Sequence, residues 1–117
     1  MGITYVTGTA AGPAGEVPVR FIVDSGVQYT LLPGEAWQKI GLVPRRRQQF
    51  QLADGTVMER DIGNCVVRLE ALGETPTPVV MGRPGDVALL GAVTLEELGL
   101  VLNPFTRTLH PATMLMV

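Results

Sequence analysis

Glycine and proline occur 14 and 9 times in 117 residues, which leaves no room for a long helix. Inside a helix glycine costs about 1 kcal/mol and proline about 3 kcal/mol relative to alanine. Short strands joined by turns are what such punctuation permits. A chain of this length makes one compact domain, spanning 1–117. Apolar residues make up 46% and charged residues 17%, enough for a core and too little charge for disorder. The net charge of −2 draws neither nucleic acid nor an anionic membrane, so neither is an expected partner. Cys65, the single cysteine, cannot form a disulfide within the chain. The opening Met1-Gly2-Ile3-Thr4 lacks the charged-then-apolar signature of a secretory leader. A reducing, cytoplasmic setting is therefore expected. The most apolar stretch, from Val87 to Leu102, carries Glu96 and Glu97 and is short for a membrane span, so it reads as core.

The periodicity predicts strands at Ile3 to Thr7 and Val17 to Val23, joined by a turn-rich connection from Gly8 to Gly15. Val17, Val19, Phe21 and Val23 share one face of the second strand. Tyr29 to Leu32 is apolar, and Pro33 to Gly41 has the proline start and glycine stop of a short helix. Phe50 to Leu52 and Val57 to Arg60 flank Ala53-Asp54-Gly55-Thr56, and Asp-Gly between strand-like runs predicts a protruding hairpin. Cys65 to Leu72 alternates as a half-buried strand, and Pro78 to Met81 and Val87 to Leu90 read as two more. Thr94 looks like the N-cap of a second short helix, with Glu97 completing a capping box and Gly99 ending it. Leu100 to Leu102, Thr106 to Leu109 and Thr113 to Val117 close the chain as short strands.

Asp24-Ser25-Gly26 is the first candidate for chemistry, because a carboxylate just after an apolar strand is held at the edge of the core. As a tripeptide it is also an ordinary turn former. Rival constellations are thin. His110 is the only histidine and no Gly-x-Ser-x-Gly surrounds Ser25, so a serine nucleophile has no base. Cys65 alternates with core residues and reads as buried and inert. One Cys and one His cannot make a zinc site. Gly8, Gly12 and Gly15 match no phosphate loop and read as turn glycines. Arg45-Arg46-Arg47 reads as a solvated loop, Tyr29 and Trp37 as core or pocket wall, and Asp61 and Asp86 as turn residues.

Taken in order, these pieces resemble the retroviral-type (retropepsin-like) aspartic proteases. The family runs from an apolar strand into Asp-Thr/Ser-Gly, a Thr four positions on, a flap hairpin, then two apolar residues and Gly entering a helix. Here those positions hold Phe21-Ile22-Val23, Asp24-Ser25-Gly26, Thr30, the hairpin at Asp54-Gly55, and Leu89-Leu90-Gly91. The resemblance covers Val17 to Leu102. Val27 stands where the family usually has Ala, the hairpin tip has fewer glycines than viral flaps, and the chain runs on past Leu102.

The resemblance implies an all-β, closed barrel-type fold with one or two short helices, active as a homodimer. It implies Asp24, Ser25 and Gly26 as catalytic residues, with Ser25 bonding across the dimer interface. Val27, Ala53, Asp54, Gly55, Thr56 and Leu90 would contact a peptide or protein substrate, with no metal and no cofactor. Elementary chemistry agrees: hydrolysis by carboxylates needs one ionised group to take a proton from water and one protonated group to polarise the carbonyl. With a single Asp-Ser-Gly, the second carboxylate is expected from an identical subunit across a two-fold axis. The apolar ends, Ile3 to Val6 and Met114 to Val117, are then expected at the interface. The other reading is a catalytically weak or inactive dimerisation or peptide-binding module on the same fold.

Overall fold

The computed structural model describes residues 2–113 and 116. Two apolar runs form its first hairpin: β1 (Tyr5–Gly12) pairs antiparallel with β2 (Gly15–Val23) from Tyr5↔Ile22 to Gly12↔Gly15. Pro13 and Ala14 alone make the turn. The expected connection from Gly8 to Gly15 is thus largely strand, and Gly8 and Gly12 are not turn glycines. They are places of close approach: a Cβ on Gly8 would stand 2.4 Å from the Arg68 carbonyl oxygen, and one on Gly12 2.5 Å from that of Ile40.

From Gly8 to Ala11, β1 also pairs with the far strand β5 (Val57–Leu69), and this closes the sheet. Around the closure run β2, β7 (Leu89–Leu90), β3 (Thr30–Leu32), β6 (Gly73–Met81) and β5, with β4 (Arg46–Gln51) hanging outside β5. The family-implied, mostly β, closed barrel-type architecture is what the chain adopts. Two short helices complete it, α1 (Gly34–Lys39) and α2 (Ala92–Leu98), with a separate hairpin of β8 (Leu100–Asn103) and β9 (Thr108–Pro111).

Inside the closed sheet lie Phe21, Leu32, Leu69, Val67, Val79 and Leu90, all essentially without solvent contact. Each large apolar side chain so buried contributes roughly 1.5–3 kcal/mol. Val19, Phe21 and Val23 are buried on one face of β2 as the alternation requires. Cys65 sits in the same core, and burial pushes its thiol up to about 12 from 9.0. The thiol is protonated at neutral pH and inert.

Several expectations are corrected. The runs at Val57 and Cys65 are one continuous strand of 13 residues. Asp61, expected in a turn, lies mid-strand opposite Arg47. The partner strands decide this, since β4 pairs with one half of β5 and β6 with the other. Arg46 and Arg47 begin β4 and are not loop. Ala71 and Leu72 leave the sheet in a turn, the Leu72 amide donating to the Leu69 carbonyl at 3.0 Å. Val87 precedes β7 and is 57% exposed. Thr113 is in no strand, and Met114, Leu115 and Val117 lie outside the described residues, as does the interface role expected of them. Among the described residues no helix is long and apolar enough to cross a membrane.

Candidate active site

The buried strand β2 ends at Val23, and the next residue is half-buried Asp24 at the barrel's edge. Its backbone amide donates to the Leu90 carbonyl at 3.0 Å, which ties the loop to β7. Its Oδ1 accepts the Gly26 amide at 3.0 Å, so the carboxylate is oriented by its own turn. Ser25 and Gly26 are exposed beside it. A Cβ on Gly26 would stand 3.2 Å from Oδ1, closer than a side chain sits comfortably.

Behind this loop α2 docks by its first turn. The amides of Ala92 and Val93 donate to the carbonyls of Val27 and Gln28, each at 2.9 Å. These two groups lack partners within any helix start, and the loop supplies them. Thr94 is therefore not an N-cap: Gly91 holds that position, and Thr94 is fully buried in the helix. Its hydroxyl lies 2.6 Å from Thr30 Oγ1 and 2.9 Å from Thr77 Oγ1. Thr77 in turn donates to Glu97 Oε1 at 2.9 Å, and Thr30 accepts the Gly91 amide at 3.0 Å.

Each hydroxyl has one proton to give, so these contacts run in one direction. Gly91 donates to Thr30, Thr30 to Thr94, Thr94 to Thr77, and Thr77 to Glu97. The chain of bonds pins the Asp24 loop, β6 and α2 together, and such aligned bonds strengthen one another in a dry interior. Thr77 had no sequence signal, and Glu97, expected to complete a capping box, instead accepts the Thr77 hydroxyl from a distant strand.

Beside the loop opens a groove of about 630 Å³ lined by Val27, Tyr29, Leu31, Phe50, Met58 and Val87, among others. Its roof is the β4–β5 hairpin. Tyr29 and Phe50 meet edge to face at 6.2 Å between ring centres, and Arg46 Nη2 donates to the Tyr29 hydroxyl at 3.1 Å. The hairpin is thus braced against the body of the barrel. At its tip the Asp54 carboxylate accepts the Thr56 amide at 2.9 Å, and this bond holds the carboxyl below its ordinary value.

The residues marked out in the sequence fall in three places. Asp24, Ser25 and Gly26 form one exposed corner, and Val27 joins the groove wall. Ala53, Asp54, Gly55 and Thr56 form the exposed tip and do not line the groove. Leu90 is fully buried and supports Asp24 from behind, while its neighbour Leu89 lines the groove. Phe50, Met58 and Arg60 of the roof were not singled out as contacts. Their every-other-residue spacing across the Asp54-Gly55 turn is the signal that finds them.

A family model described as aspartyl protease matches residues 6–94, a span that includes the Asp24 loop, the hairpin and the entry to α2. No curated protein matches the chain. Among solved structures, a retropepsin-like aspartic protease from Rickettsia conorii is similar with a TM-score of 0.50 and 24% identity, over 87% of this chain and 85% of that one. At that identity the likeness is one of fold. The family model's span together with the Asp-Ser-Gly corner at the end of β2 leads to one assignment: the chain belongs to the aspartyl protease family.

Proposed function

We propose that the protein is a homodimeric aspartic endopeptidase in which two copies of Asp24 activate one water. The observation that carries this reading is the Asp24 corner itself. A carboxylate is held by the Gly26 amide at the barrel's edge, backed by a buried hydrogen bond, with Ser25 and Gly26 exposed beside it. A second support is the hollow of about 390 Å³ that adjoins Ser25 and is lined by Leu95, Val101, Leu102 and Pro104. Val101 is 51% exposed there, and Phe105, next along the β8–β9 hairpin, is 94% exposed. Such apolar surface is what a two-fold contact covers.

In the reaction the ionised carboxylate takes a proton from water, whose oxygen bonds to the scissile carbonyl carbon. The protonated carboxyl hydrogen-bonds the carbonyl oxygen as charge develops on it. The carbon–nitrogen bond then breaks, the amine leaving with a proton from the dyad. The β4–β5 hairpin serves as the flap, and Ala53, Asp54, Gly55 and Thr56 reach the substrate when it closes and excludes water. Ser25 holds the two loops in register, and Val27 shapes the pocket beside the dyad.

The test is cleavage of an unstructured protein in the presence of a statine-type inhibitor, whose hydroxyl takes the place of the attacked water. Hydrolysis that the inhibitor abolishes and a metal chelator leaves intact is expected. Binding of the inhibitor with no turnover under any condition would instead assign a peptide-binding module.

A further inference from the structure

We infer that the groove selects polypeptide segments in which a bulky apolar side chain lies next to an acidic one, and that Arg60 and Arg46 read the acid. This names the substrate class of the groove and so rests on the proposed peptidase reading. The argument starts from the register of the roof. Arg47 pairs with Asp61, Gln48 with Arg60, Gln49 with Glu59 and Phe50 with Met58. Side chains alternate between faces of a strand pair, which sorts the charges of the hairpin.

On the outer face Arg47 Nε lies 2.9 Å from Glu59 and Nη1 3.3 Å from Asp61, so both carboxylates of the strand pair are matched there. Phe50, Met58 and Arg60 face the groove, and Arg46 shares their side by parity with Gln48 and Phe50. Among the described residues neither Arg46 nor Arg60 has an ion-pair partner. A guanidinium carries five N–H donors. Among the described residues Arg46 directs its bonds to Gln48 and the Tyr29 hydroxyl, and Arg60 only to the Glu59 carbonyl. Donors on both remain for a carboxylate. Among the described residues one carboxylate lines the groove, that of Asp86, and it already accepts the Arg83 amide at 2.7 Å. The roof is therefore cationic above an apolar floor that includes Leu31, Val87 and Leu89.

The test uses peptides acetylated and amidated at their ends, so that a side chain supplies the only carboxylate. Each carries a central Phe with Glu, Gln or Lys beside it, and binding to the Asp24→Asn protein is read by fluorescence anisotropy. The Glu peptide is expected to bind about tenfold more tightly than the Gln peptide, the worth of a charge-assisted hydrogen bond in this setting. The Lys peptide is expected to bind most weakly. Arg60→Gln together with Arg46→Gln should reduce the Glu-to-Gln ratio to about twofold or less, as for a screened surface pair. Arg47→Gln, on the outer face, should keep the ratio. Equal binding of the Glu and Gln peptides, no binding of the Glu peptide, a preference for Lys, or a ratio that only Arg47→Gln abolishes would each overturn the inference. If the Glu preference holds and the unsubstituted protein cleaves none of these peptides, the inference stands and the peptidase reading falls.

Discussion

Replacing Asp24 with Asn is expected to lower peptide hydrolysis by about 10²–10⁴-fold, the usual worth of a positioned acid–base group. The fold should survive, because an amide oxygen can still accept the Gly26 hydrogen bond that now reaches Oδ1 at 3.0 Å. In the proposed dimer the same substitution should also tighten association. Two ionised carboxylates about 3 Å apart repel by roughly 5 kcal/mol at an effective dielectric of about 20, and Asn removes that repulsion. The dimer dissociation constant should therefore be lower for Asp24→Asn than for the parent protein. Equal constants would mean that the two carboxylates are not adjacent.

Gly91→Ala is expected to lower both stability and activity. A Cβ there would stand 2.5 Å from the Tyr29 carbonyl carbon and 2.8 Å from the Gln28 carbonyl oxygen. Both are backbone atoms of the loop that receives α2, so neither can swing aside. Overpacking of this kind costs about 1–3 kcal/mol or more. It would also push α2 off the Val27 and Gln28 carbonyls, loosening the corner that orients Asp24. A urea midpoint that falls with an unchanged slope, and a loss of activity larger than the unfolded fraction explains, is the expected result. A Gly91→Ala protein as stable and active as the parent would show that the close approach is not needed.

What could be read from the chain alone was what short-range pattern encodes. The alternation of Val17, Val19, Phe21 and Val23 found the inner face of β2, and Asp54-Gly55 found the hairpin. The Asp24-Ser25-Gly26 signature and the family resemblance found the corner and the barrel. What stayed hidden depends on partners far away in sequence. Gly8 looks like a turn residue until β1 crosses β5, where only glycine lets the strands meet. Asp61 looks like a turn former until β4 supplies Arg47. Thr94 carries a good N-cap pattern, yet loop carbonyls satisfy the helix start and free its hydroxyl to join Thr30 and Thr77. The charge sorting of the roof likewise appears only once Gln48 is known to face Arg60.

The central claim is that one active site needs Asp24 from two chains, and mixing tests it most directly. The parent protein is combined with increasing Asp24→Asn protein, allowed to exchange subunits, and assayed for hydrolysis per parent chain. If the dyad spans two subunits, each mixed dimer is dead. At equal amounts, activity per parent chain should then fall to about one half by statistical pairing. Activity per parent chain that stays constant across the whole titration, in samples where mixed dimers are demonstrated, would mean that a single chain holds a complete active site and would contradict the account.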